Sequence, residues 1–165
     1  MYNNVFVQIF IIFINFFLSI PFTISGSTKY DNNDIKAYSQ PPGYIFGIVW
    51  STIYTLFSII NYRIMYSDRM TIPLKKMLIN QSITEATLQT TWLLTTMKFT
   101  DKRYFLQYII GLFIMFQLVN FAFQYRLKTL LEYDFISFLL YLPYCIWIVF
   151  AMILNIQIVY KYIVE

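Results

Sequence analysis

The sequence predicts an all-α fold, an integral membrane bundle of five transmembrane helices. Hydrophobic residues make up 59% of the 165 residues, aromatic residues 21% and charged residues only 12%. A soluble domain carries about 25% charged residues, so this chain has about half the usual solvating surface. Its apolar segments show no sustained alternation and are about twice as long as a barrel strand. We expect a single transmembrane domain over residues 1–165.

Five apolar segments define the expected spans. A spanning helix needs about 20 mostly apolar residues, and segments of that kind cover residues 5–25, 44–62, 77–97, 104–125 and 135–160. The third segment is the weakest, because it contains Glu85, two glutamines and several threonines. The predicted connections are 26–43, 63–76, 98–103 and 126–134. Three of them are short, which predicts that successive helices lie side by side and antiparallel.

The first segment has a second interpretation, a cleaved signal peptide with the small residues Ser25-Gly26-Ser27 as the cleavage site. No positive charge precedes the segment, and its apolar run exceeds the about 7 to 15 residues of a signal peptide. Both observations favour a retained first helix.

The net charge of +4 does not indicate nucleic-acid binding. The twelve Lys and Arg residues are dispersed among the connections, as in membrane proteins, and form no basic stripe. We therefore expect membrane lipids as partners and no nucleic acid. With five spans, six basic residues fall on each side, so the charges do not predict which membrane or which orientation the chain adopts.

The third span carries its polar residues on one face. Successive spacings of four, four, three and four residues separate Gln81, Glu85, Gln89, Trp92 and Thr96. Glu85 is the only ionisable residue deep within a predicted span, and a charge there costs several kcal/mol. We expect it to face the bundle and to be protonated or hydrogen-bonded. The face either joins helices by hydrogen bonds or lines a ligand site.

Aromatic stripes at helical spacing mark two other spans. The second span carries Phe46, Trp50, Tyr54, Phe57 and Asn61, and the fifth Tyr144, Trp147, Ala151, Leu154, Asn155 and Ile158. All three tryptophans of the chain lie on the patterned faces of the second, third and fifth spans. None lies at a predicted span end, where tryptophan is commonest. A small residue, Gly47 or Ala151, lies one turn from each of two tryptophans and would leave room beside the ring. Such stripes usually only pack helices, but this layout also suits a flat apolar guest.

The residue inventory disfavours several kinds of chemistry. The chain has no histidine, and Cys145 is its only cysteine, so no disulfide can form within it. Hydrolysis is disfavoured because the single intramembrane carboxylate has no partner for acid–base work. We expect no catalytic residues, no metal site and no bound cofactor; a haem in particular has no recognisable axial ligand.

Three motifs resemble one membrane-protein family. Residues 41–54, PPGYIFGIVWSTIY, resemble the PPxWxFGPVWTxLY signature of the TspO/MBR family, the translocator or tryptophan-rich sensory proteins. Residues 142–155 resemble that family's PYxxW…FAxxLN, and LQTTW at 88–92 resembles its LNxxW. The resemblance is collinear and covers the whole chain, with five spans.

This sequence also departs from the family pattern at several positions. Tyr44 and Tyr104 stand where members often have tryptophan, Gln89 replaces asparagine, and Ile48 replaces proline. We therefore expect the scaffold and the pocket to carry over more than any particular ligand.

The resemblance implies a five-helix bundle, often a homodimer, that binds porphyrins, sterols or aromatic drug-like molecules. Mapped residue by residue, the implied ligand-binding pocket consists of Phe46, Trp50, Tyr54, Gln89, Trp92, Tyr104, Trp147, Ala151 and Leu154. Three functions stay open. The chain binds, senses or transports a porphyrin or sterol-like molecule, it degrades porphyrin with the help of its tryptophans, or it is a structural or interaction protein without a ligand.

Overall fold

The structure, a computed structural model, describes residues 4–19, 37–96 and 105–164. The described residues form helices and contain no strand, so the all-α prediction is confirmed. In chain order the elements are α1 Val5–Ile12, α2 14–19, α3 Gly43–Tyr66, α4 Ile72–Thr96, α5 Phe105–Phe121, a π-helical turn Ala122–Arg126, α6 Leu127–Tyr133 and α7 Phe135–Val164.

Three helices of the described residues are long and apolar enough to cross a bilayer: Gly43–Tyr66, Leu106–Tyr133 and Phe135–Lys161. Helix α4 has 25 residues, which also suffices at about 1.5 Å per residue. It is less apolar than the other three because, besides three charged residues, it carries six threonines and several other polar residues. The chain is an integral membrane protein.

Four helical paths extend beyond the expected bounds, and α3 and α7 end at Tyr66 and Val164, each four residues later than predicted. Helix α4 begins at Ile72, before the predicted start at 77, and Pro73 lies in its first turn, where a missing amide hydrogen is tolerated. The expected connection 126–134 is wrong, because the helical path from Phe105 continues through Tyr133 and only Asp134 separates it from α7. The expected connection 98–103 and the candidate cleavage site at Ser25-Gly26-Ser27 lie outside the described residues.

The helices pack around one apolar core. Helix α3 contacts α1, α4 and α7, and α5 contacts α4 and α7. The largest fully buried side chains include Ile60, Ile64, Leu78, Met115, Leu118 and Ile148. Large apolar side chains such as Phe113, Phe116 and Ile146 point outward, as a lipid-facing surface requires.

Asp134 joins α3 to the start of α7. Arg63 donates from Nη2 to Asp134 Oδ1 at 2.8 Å and from Nε to Oδ2 at 3.1 Å. The Ser137 hydroxyl donates to Asp134 Oδ2 at 2.6 Å, and the Ser137 backbone N–H donates to Oδ1 at 3.4 Å, which caps the first turn of α7. Partial burial opposes the charge, but the bonds from Arg63 and Ser137 outweigh it, so the pKa of Asp134 lies below its usual value.

Candidate functional site

Aromatic rings from three helices meet at one place in the bundle. Phe46, Trp50 and Tyr54 follow one another at successive turns of α3. The Trp50 ring lies 5.5 Å from Tyr54, 6.4 Å from Trp92 of α4 and 6.4 Å from Trp147 of α7, measured between ring centroids. Phe46 meets Trp147 edge to face at 5.5 Å. We call these five residues the aromatic cluster.

The aromatic cluster has a buried end and an accessible end. Tyr54 and Trp92 are only 4% and 5% exposed, whereas Phe46, Trp50 and Trp147 are half-buried. A flat guest could therefore contact the half-buried rings while the two buried rings hold them in place. Rings that meet edge to face or at a tilt in this way favour an aromatic guest.

Polar groups of the bundle border the cluster. Trp92 donates from Nε1 to Asn155 Oδ1 at 3.4 Å, which joins α4 to α7. Gln89 is buried and accepts from Asn15 Nδ2 at 3.3 Å. One buried donor of the cluster, Trp147 Nε1, has no hydrogen-bond acceptor among the described residues, whereas Gln89 lies against the Tyr144 hydroxyl. A buried N–H without an acceptor is costly, so a bound molecule with acceptor atoms would gain by supplying one.

The remaining expected pocket residues have different positions. Ala151 and Leu154 are buried and lie one and two turns beyond Trp147 on the same face of α7. Tyr104 lies outside the described residues. Gly47 is exposed, and a Cβ added there would meet nothing within 4 Å. The room expected beside Trp50 at Gly47 therefore lies at the exposed surface of α3.

Glu85 faces the bundle, as predicted. Its side chain is 2% exposed, and Oε1 accepts a hydrogen bond from the Tyr141 hydroxyl of α7. The Tyr141 ring in turn stacks on Phe57 of α3 with centroids 5.6 Å apart. The carboxyl group of Glu85 therefore lies where α3, α4 and α7 meet.

Arg126 is the buried residue that the sequence pattern missed. It was expected in a connection, but it ends the π-helical turn and is only 2% exposed. Its Nη1 donates to Leu78 O, and its Nη2 donates to Ser82 Oγ at 2.5 Å. Ser82 donates to Asn61 Oδ1 at 2.6 Å, and Asn61 donates from Nδ2 to Ile11 O at 3.1 Å. A polar chain thus crosses the bundle from the π-helical turn to α1.

One signal in the sequence could have placed Arg126 in a helix. Leu127, Leu130 and Leu131 follow it at helical spacing, and Leu130 is completely buried. Glu85 is therefore not the only ionisable residue in the interior of the bundle.

Comparison with known families agrees with the geometry of the site. The family model described as TspO/MBR family matches residues 7–161, nearly the whole chain. The three motifs at 41–54, 88–92 and 142–155 lie within the matched range, and each contributes a tryptophan to the aromatic cluster. No curated protein matches the chain.

Proposed function

The chain belongs to the TspO/MBR family, and from that premise we propose that it binds a flat apolar ligand of the tetrapyrrole class at the aromatic cluster, for sensing or transport. The observation that carries this proposal is the position of Trp50. Its ring contacts rings of α3, α4 and α7 and remains half-buried. A molecule held against it would touch two helices that are distant in sequence.

The chemistry of the cluster favours a conjugated guest over a saturated one. An aromatic contact contributes about 0.5 to 1.5 kcal/mol beyond the burial of area. A planar macrocycle that stacks on one tryptophan and meets the edge of another gains this binding energy from each of the two rings. A sterol buries similar apolar area but has no extended π face, so it would lose that increment.

A buried donor without an acceptor supports the same class of ligand. Trp147 Nε1 belongs to the aromatic cluster, and no acceptor reaches it among the described residues. Tetrapyrroles carry carboxylate or ring-nitrogen acceptors at the edge and the centre of a flat frame. A ligand with an acceptor in reach of Trp147 Nε1 would relieve the desolvation cost of this donor, which is about 1 to 3 kcal/mol.

A fluorescence titration tests the proposal. Detergent-purified protein is titrated with protoporphyrin while tryptophan emission is followed, with free N-acetyltryptophanamide in the same detergent as the control. We expect saturable quenching of the protein and none of the control beyond collisional loss. Cholesterol should compete poorly. Quenching that never saturates would mean that the aromatic cluster only packs helices and binds no porphyrin.

The close approach of the three tryptophans favours a second candidate, light-dependent breakdown of the bound tetrapyrrole. Trp92 and Trp147 both lie 6.4 Å from Trp50, measured between ring centroids. An excited macrocycle in this position would have oxidisable indole rings on more than one side. Illumination of the porphyrin complex in air, followed by chromatography, should reveal a new pigment. Recovery of unchanged porphyrin would show that the protein binds the tetrapyrrole without breaking it down.

A further inference from the structure

Among the described residues, an acidic and a basic side chain lie inside the bundle, next to the aromatic cluster, which this second site meets at Tyr54. Glu85 of α4 and Arg126 of the π-helical turn are each 2% exposed. Ionisable groups within a span are costly, and they commonly mark ion or proton sites. π-helical turns also occur often at functional sites. Here the turn buries Ala122 and Arg126, while its three middle residues remain exposed.

Glu85 and Arg126 attract each other but form no direct ion pair. Within the described ranges, the one ion pair with nitrogen and oxygen within 4.0 Å is Arg63 with Asp134. The terminal nitrogens of Arg126 are occupied by Leu78 O and Ser82 Oγ. Its Nε has no acceptor among the described residues. Ser82, which accepts from Nη2, precedes Glu85 by three residues on the same face of α4. The positive charge therefore lies about one turn from the carboxyl group, and no direct Arg–carboxylate bond joins the two.

The other groups around Glu85 are neutral hydroxyls and a thiol. From α7 it faces Tyr141, Tyr144 and Cys145, and from α3 the phenol of Tyr54 faces Tyr144. No second carboxylate interacts with Glu85 within the part of the chain that the structure describes. Two opposed effects thus decide its charge, since burial penalises the anion and Arg126 stabilises it.

We propose that Glu85 is a reversible proton-binding site in the membrane interior and that Arg126 sets its affinity. The carboxylate takes one proton from water and becomes a carboxylic acid, and release returns the same proton. Tyr141 donates to Oε1, and Tyr144 also faces the carboxyl group that receives the proton. The Glu85–Arg126 pair changes from net neutral to net positive when the proton binds.

Infrared difference spectroscopy on the protein in phosphatidylcholine vesicles, without added ligand, measures this step. Spectra are compared between about pH 4 and about pH 9, the range that spans exposed and deeply buried glutamates. Among the protonated-carboxyl bands, which the other Asp and Glu residues also produce near pH 4, we expect one band that Glu85→Gln removes. The matched control Glu132→Gln, which changes an exposed carboxylate on α6, should retain the band. If Glu85→Gln yields no folded protein, Glu85→Asp keeps a carboxyl group and should shift the band.

Arg126→Gln supplies the second arm. Removing the positive charge destabilises the carboxylate, so Glu85 should keep its proton to a higher pH. We expect the titration midpoint of the Glu85 band to rise by about one pH unit. The idea fails if no band depends on Glu85 anywhere in the range. It also fails if the midpoint is the same in the wild type and in Arg126→Gln.

Discussion

The indole rings of Trp50 and Trp147 meet edge to face, with planes at 88° and centroids 6.4 Å apart. Trp50 stands on α3 within the double-proline motif, and Trp147 stands on α7 within the motif that begins at Leu142. The two strongest family motifs therefore converge on a single ring contact. Neither ring is fully buried, so the contact leaves surface for a guest.

Trp92 should contribute to stability more than to ligand affinity. It is buried, and its Nε1 donates to Asn155. Trp92→Phe keeps an aromatic ring but removes this hydrogen bond between α4 and α7, which costs about 1 kcal/mol. We expect a lower melting temperature and a dissociation constant for protoporphyrin within about twofold of the wild type. A large loss of affinity without a loss of stability would instead make Trp92 a ligand contact.

Glu85 and Arg126 should be energetically coupled. We expect Glu85→Gln and Arg126→Gln each to destabilise the protein, and the double variant to lose about 1 kcal/mol less than the sum of the two. That coupling corresponds to the expected shift of about one pH unit in the titration of Glu85. The double-mutant cycle is measured by unfolding at alkaline pH, where Glu85 carries its charge. Strictly additive losses would show that the two charges do not interact.

Asp134 should make the folded protein less stable as the pH falls into the acidic range. Its pKa in the folded protein is below the usual value because Arg63 and Ser137 donate to the carboxylate. A lowered pKa means that the stabilisation is full above the ordinary aspartate pKa of about 4 and disappears as the pH falls through the lower folded value. Asp134→Asn should cost about 1 kcal/mol at neutral pH. It should also reduce the loss of melting temperature between neutral and acidic buffer. An unchanged acid profile would contradict this assignment.

Gly47 should tolerate a larger side chain. It lies within α3 and is exposed, and no atom lies within 4 Å of the place that an added Cβ would occupy. Alanine favours a helix over glycine by up to about 1 kcal/mol. Gly47→Ala should therefore raise the melting temperature slightly and leave porphyrin affinity unchanged. A lower melting temperature would indicate that another surface packs closely against this turn.

Helical periodicity predicted the aromatic cluster better than it predicted the charges. Phe46, Trp50 and Tyr54 share one face of α3 because the spacing of their positions fixes their direction whatever the tertiary contacts are. The same rule placed Glu85 inside the bundle. These predictions needed only one helix at a time.

Arg126 was missed because its burial depends on several helices at once. A charge after an apolar run resembles the end of a span, and the sequence shows neither the π-helical turn nor the carbonyl of Leu78 that accepts from it. The outward direction of Gly47 could not be predicted for a related reason. A small residue next to a tryptophan indicates space, but not whether that space lies inside the bundle or at its surface.

The most direct test of the central claim is the protoporphyrin affinity of Trp50→Leu and Trp147→Leu, measured together with the melting temperature of each variant. The control is Phe113→Leu, which removes a ring that is 62% exposed on the outer face of α5. The loss of one ring contact should weaken binding by about threefold to tenfold in each tryptophan variant, while the control binds like the wild type. Wild-type affinity in both tryptophan variants, with only their melting temperatures lowered, would show that the aromatic cluster packs helices and binds no ligand.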